Sequence, residues 1–425
     1  MRKINLSLMA AAILASGMVS NVMANPLENI LSNPKYSLEL RPRYEYVDVD
    51  NNGKDAAKAL TVRTAIGMSA QLFEVEGLNA QIQAMSVNNF GWIDDYAPET
   101  SGYETVADGT QSRITQANIS YSANGFTAIL GRKMVVLDNA RFIGNVGWRQ
   151  MPQTYDLAAV AYNGIENLSL LGAYVTQVNR IFNSDGNGPL NTHMSTGSVL
   201  LHASYKLVPE LTLTAYDYMI ENFADHIGIR ATGKAKLDDI TLKYTAEYAV
   251  QNDPSLDNED DPLYSPNRKQ DADYYNLALD ATYDAFTAGI GYEVLSDKGD
   301  GDYAFWTPLA TLHAMNGWAD IFLNTPDQGL DDLSVKLAYN AKEYGKIVGI
   351  YHDFKSDVDN TQGDDDLGNE VDIAYKYKIN KNLGFLLKGA WYNAGDDSFL
   401  DKNGKIKYHD TTKYWVQLDY KFSSK

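Results

Sequence analysis

Leu60-Thr61-Val62-Arg63-Thr64-Ala65-Ile66-Gly67-Met68-Ser69-Ala70-Gln71-Leu72 alternates in character residue by residue. Apolar groups or Thr occupy the even positions, while Thr61, Arg63, Ser69 and Gln71 fall between them. Consecutive side chains of a strand point to opposite faces, so this segment predicts a strand with one oily and one wet face. Ile240 to Tyr248 and Val371 to Ile379 read the same way. A wall between lipid and water needs that combination.

Working outward from 59–73, the alternation predicts eighteen strands. The others are 35–48, 78–90, 112–123, 125–133, 152–163, 167–177, 196–208, 210–221, 224–233, 237–250, 272–284, 286–296, 331–340, 345–356, 369–380, 382–394 and 412–423. Every second connection is short, for example Glu74 to Gly77, Ala123-Asn124-Gly125, Val208-Pro209-Glu210 and Gly233-Lys234-Ala235-Lys236. Those between are long, at 49–58, 91–111, 134–151, 178–195, 251–271, 297–330, 357–368 and 395–411, with 222–223 the exception. Short turns at one end and long loops at the other predict an all-β, antiparallel transmembrane barrel. An even strand number lets the first and last strands pair, and closure spares unpaired backbone groups their cost in lipid. A soluble exported sandwich or propeller would alternate too, but without this short–long rhythm, and no fixed-period repeat is present.

Residues 1–24 read as an export signal, with Arg2 and Lys3 ahead of an apolar stretch and Val22-Met23-Ala24 at the cleavage position, leaving 25–425 as the barrel. No later stretch is long and apolar enough for a spanning helix. The chain has no Cys, 29 Tyr, and a net charge of −19, which becomes −21 without the two signal-peptide bases. That balance argues against nucleic-acid binding, and the tyrosines suit two membrane–water interfaces. The aromatic-ended strand 412–423 is what barrel-assembly machinery is expected to read.

The wet faces invert the sign of the chain. In the nine clearest segments they carry Arg41, Arg43, Arg63, Arg230, Lys243, Lys336, Lys376, Lys378, Lys388, Lys413 and Lys421, against Glu39, Glu45, Glu247, Asp280, Asp372 and Asp419. This excess of five positive charges predicts a water-filled pore preferring small polar and anionic solutes. The acids collect in the long loops, as at Asp253 to Asp261 and Asp364-Asp365-Asp366. Such loops would hold Ca2+ or Mg2+ only loosely at the lipopolysaccharide surface, and no cofactor is expected. Two loops also carry apolar residues, 134–151 and 297–330, and are expected to pack inward as a constriction. Trp306, His313, Trp318 and Asp320 are the candidate constriction residues, with Thr307 and Pro308 placed to start a helix.

Residues 130–156 (LGRKMVVLDNARFIGNVGWRQMPQTYD) and 305–333 (FWTPLATLHAMNGWADIFLNTPDQGLDDL) resemble the alginate-export family of outer-membrane porins. The resemblance implies a monomer rather than a trimer, and an arginine-lined lumen to which Arg132, Arg141 and Arg149 would belong. It also implies export of an anionic polysaccharide as the alternative to simple diffusion. Enzyme classes find no footing. The six His lie outside any GxSxG or HExxH context, and only residues 25–34 precede the first strand, too few for the plug of an energised receptor.

Overall fold

A computed structural model describes residues 30–182, 193–260, 264–266, 268–395, 399–400 and 404–424. The expected export signal lies outside the described residues. Alternation becomes eighteen barrel strands: β1 Leu31–Val49, β2 Ala57–Leu72, β3 Leu78–Asn88, β4 Gln111–Ala123, β5 Phe126–Lys133 and β6 Thr154–Tyr162. Next come β7 Leu168–Asn179, β8 His193–Val208, β9 Leu211–Ile220, β10 Ala224–Leu237, β11 Ile240–Asn252 and β12 Asp271–Tyr283. The circuit ends with β13 Phe286–Leu295, β14 Leu330–Asn340, β15 Lys346–Lys355, β16 Asp366–Lys378, β17 Leu383–Asn393 and β18 Thr411–Ser423. A two-residue strand, Asp94–Asp95, pairs with Lys58 and Ala59 above the end of β3.

Each strand pairs antiparallel with its neighbours in sequence. The ring closes where β1 meets β18, from Ser37 opposite Ser423 to Val49 opposite Thr411. No free edge is left in the wall, as a strand structure in lipid requires. Side chains of one parity point outward and stay bare: Leu130 is 67% exposed, Ile229 64% and Leu337 64%. Stacked or tilted aromatic pairs sit near both rims of that face, Tyr46 with Tyr414 at the loop end and Phe286 with Tyr339 at the turn end.

The short turns follow local chemistry. At Asn124-Gly125 both residues have positive φ, 50° and 82°, the geometry of a tight two-residue hairpin. A Cβ on Gly125 would also meet the Gly164 backbone at 2.6 Å. One turn falls elsewhere than expected. Gly233-Lys234-Ala235-Lys236 is strand, paired through to Leu237 opposite Ile240, and the chain reverses at Asp238-Asp239. Asp238 takes the left-handed conformation, φ 51°, which short polar side chains tolerate.

The apolar core is inside the barrel, toward the long loops. Phe142, Ile143, Phe305, Leu309 and Phe322 from the two apolar loops pack on Tyr216, Tyr218, Tyr274, Phe354, Tyr392 and Trp415 of the wall. Phe142 is a hub, with ring centroids 5.0 Å from Tyr216, 5.5 Å from Tyr274 and 6.0 Å from Phe305. The two loops therefore fill the lumen and do not cap the rim.

Candidate solute passage

The two inward loops are one body. Gly144 N donates to Leu309 O at 2.8 Å, Thr311 N to Ala140 O at 2.9 Å, and Val146 N to the Thr311 hydroxyl at 3.0 Å. Tyr155 on β6 ties both to the wall, its hydroxyl donating to Gly144 O at 2.8 Å. The expected helix from Thr307 is absent, and only the 3-10 turn Leu312–Ala314 forms. The wall supplies the reason. The N–H of Trp318 donates to Asp372 and that of Ala319 to Glu370, so these donors serve wall carboxylates instead of a helix. Gly317 turns the chain there with φ +78°, and a Cβ on it would lie 2.4 Å from a Glu370 oxygen.

One wall of the lumen is a row of arginines. Arg41, Arg43 and Arg63 project from β1 and β2, and Arg149 comes down from the loop, all buried. Arg41 pairs with Asp419 at 2.7 Å, Arg63 with Glu39, and Arg43 with Asp108 at 3.4 Å. Arg149 bridges Glu45 at 3.0 Å and Asp320 at 2.8 Å. Burial works against its charge, but Glu45, Asp320 and Asp108 outweigh burial and raise the Arg149 guanidinium above its ordinary value. Loop carbonyls complete the row: Arg41 donates to Gly147 O, and Arg63 to Arg149 O and Gln150 O.

At the centre, the His313 imidazole stacks on Trp148, centroids 4.4 Å apart, between an anion and a cation. Its Nδ1 lies 2.7 Å from Asp320 and its Nε2 2.7 Å from the Lys388 ammonium. A neutral ring satisfies both, donating from Nδ1 and accepting at Nε2. Burial, opposed by Asp320 and reinforced by Lys388, holds His313 well below its ordinary value. Burial alone would raise Asp320, but His313, Lys413 and Arg149 outweigh it and hold that carboxyl well below the usual range. Lys388 faces three indoles, with Nζ 3.7 Å from the Trp318 ring centre, 4.2 Å from Trp148 and 5.2 Å from Trp415.

The opposite wall is acidic. Asp280, Glu293, Asp332, Lys336 and His352 line a cavity of about 220 Å³ with Met315 and Trp318 of the loop. His352 lies 2.8 Å from Asp332, Asn316 bonds both Glu293 and Asp332, and Arg141 pairs with Glu293 at 3.3 Å.

Most expected site residues thus meet in the lumen, with three qualifications. Arg132 does not. It shares the outward parity of Ala128 and the bare Leu130, and forms its ion pair with Asp156 outside the wall at 2.6 Å. Trp306 sits at the upper edge of the plug against Phe223, whereas His313, Trp318 and Asp320 occupy its middle. Arg230 pairs with Glu247 at 3.5 Å and Lys336 with Asp280 at 2.6 Å, while Lys243 and Lys376 stand exposed on the lumen face toward the short turns.

The expected charge excess also shrinks. Folding brings Arg141 and Arg149 into the lumen, but also Asp108, Asp138, Glu293, Asp320, Asp332 and Glu370. These two bases and six acids lower the excess, which Lys234 and Lys346 on the same face partly restore. Glu293 and Asp332 were legible in strand parity, each following residues that alternate with bare Ile290, Tyr292, Leu333 and Val335. Asp108 sits in a loop whose path no periodicity specifies. Among the described residues, no group of three or more acidic or histidine side chains is placed to hold a metal ion.

No protein-family model and no curated sequence matches the chain. Solved structures do. OccAB3 of Acinetobacter baumannii is 17% identical with a TM-score of 0.71, over 92% of this chain and 100% of its own. OccAB2 of the same organism is 18% identical with a TM-score of 0.71, over 93% and 100%. OpdK of Pseudomonas aeruginosa, solved with vanillate, is 14% identical with a TM-score of 0.68, over 93% and 100%. At these identities the likeness is one of architecture. The chain has the closed barrel fold of outer-membrane porins.

Proposed function

We propose that the protein is a bacterial outer-membrane channel for passive diffusion of small polar solutes, with anions preferred. The observation that carries this reading is a closed wall, oily outside, whose lumen two loops narrow to a polar passage flanked by an arginine row. A carboxylate entering beside Arg41, Arg43, Arg63 and Arg149 meets guanidinium groups already arranged for bidentate bonding, and would exchange with Glu39, Glu45 or Asp320 for them. Such exchange keeps binding weak enough for release, as conduction requires. The vanillate bound by OpdK, a small carboxylate, is of the class this row suits.

Export of an alginate-like polysaccharide has less support. A polymer needs a continuous wide lumen, and here Phe142, Ile143, Leu309 and Phe322 are buried against the wall within it. The test is planar-bilayer recording across a salt gradient. The reversal potential is expected on the anion-selective side, and a clear cation preference would overturn the selectivity.

A further inference from the structure

The turn-end lumen contains a feature that the diffusion reading does not use. Lys234 of β10 lies directly opposite Lys243 of β11, and Lys346 of β15 directly opposite Lys376 of β16. Directly opposed residues share a face, and like charges so placed destabilise a sheet. Parity puts both pairs on the lumen side: Lys234 follows buried His226 and lumen-facing Arg230, and Lys346 precedes buried His352 and Phe354. All four are exposed, and none forms a side-chain hydrogen bond or ion pair among the described residues. The acid between the two pairs, Asp280, is engaged by Lys336 at 2.6 Å, although its backbone partner in the ladder is Lys243. Two unfavourable pairings, whose ammonium groups form no ion pair among the described residues, define where multiply charged anions would be held.

We propose that this mouth is a binding site for multivalent oxyanions, which enter from the short-turn side and obstruct the passage there. Strands stand about 4.8 Å apart, so four steps from β11 to β15 separate the two pairs by roughly 19 Å. Each pair therefore acts on a separate anion or on one end of an extended one. The loop end offers no equivalent, since its connections carry most of the acids outside the strands, as at Asp253, Asp257 and Asp260. The obstruction is accordingly one-sided. This inference deepens the channel reading, and two readouts keep their failures distinguishable.

Tripolyphosphate is the probe. In planar bilayers with oriented single channels, it is expected to block current from the short-turn side at roughly tenfold lower concentration than from the loop side. Calorimetric titration of the detergent-solubilised barrel with the same anion is expected to show saturable, salt-sensitive binding. The double variant Lys234→Gln/Lys346→Gln, which removes one lysine from each pair, is expected to lose roughly tenfold in both measurements while keeping its open conductance and its heat-modifiable migration as a folded barrel. Equal block from both sides, or binding unchanged in the double variant, would overturn the site. A barrel that binds the anion but passes no current would sink the channel function and leave the site standing.

Discussion

Asp320→Asn isolates what holds the plug in the lumen. The carboxylate is buried, 4% exposed, and faces Arg149 at 2.8 Å, His313 at 2.7 Å and Lys413 at 3.3 Å. Asn keeps the volume and one acceptor, so His313 can still donate to it. Lys413 loses its ion-pair partner among the described residues, and Arg149 keeps Glu45 at 3.0 Å and Asp108 at 4.0 Å. Removing one partner of a buried charge pair costs about 3–5 kcal/mol, and the retained amide acceptor puts this case near about 3 kcal/mol. The wall strands are untouched, so the penalty falls on loop docking, and the undocked population rises roughly a hundredfold. Single-channel recording is expected to show new excursions to a higher conductance. Hydrogen exchange of residues 312–322 is expected to accelerate while the strand amides stay protected. Lys355→Gln is the control. Its pair with Asp365 is exposed at both ends, and neither readout should move. Conductance and exchange in Asp320→Asn indistinguishable from the parent would refute the idea that this cluster latches the loop.

Deleting 306–322 removes Trp318 and the His313–Asp320 centre from the lumen and is expected to raise conductance; an unchanged value would mean that these residues do not narrow the passage. Acidification should loosen the plug. Burial lowers the His313 value from 6.5, so below about pH 6.5 the released loop binds more protons than the docked one, and docking weakens as pH falls. Asp320 works in a lower window. Its depressed value means its contribution is present above its ordinary 3.8 and lost only well below that pH, leaving it constant across the His313 range. Conductance recorded from about pH 7.5 down to about pH 5 should therefore rise, and a flat profile would contradict the buried neutral imidazole. Ile290→Arg, at the middle of β13 on the outward face and 54% exposed, should cost about 2–4 kcal/mol in urea unfolding from lipid vesicles, as a cation in hydrocarbon does. No loss would show that this face does not meet lipid.

The sequence alone determined the wall. Its strands, their number and the alternation of faces are local properties, because a side chain's face follows from its parity along a single segment. All eighteen strands appear where alternation places them, to within a few residues at their ends. Local reading strayed where parity was followed past its segment or not used at all. Arg132 belongs to the outward series of Leu130, and Glu293 to the inward series of Gly291. Tertiary structure decided the rest. Asp108 and Asp320 meet Arg43 and Arg149, and Asp138 meets His202, only because loops distant in sequence return to the same few ångströms of lumen. Tertiary pairing likewise set the absence of a helix at Thr307, where Glu370 and Asp372 take the N–H groups of Trp318 and Ala319. Periodicity fixes which way a strand residue points. It carries no information about which charge a long loop will bring to meet it.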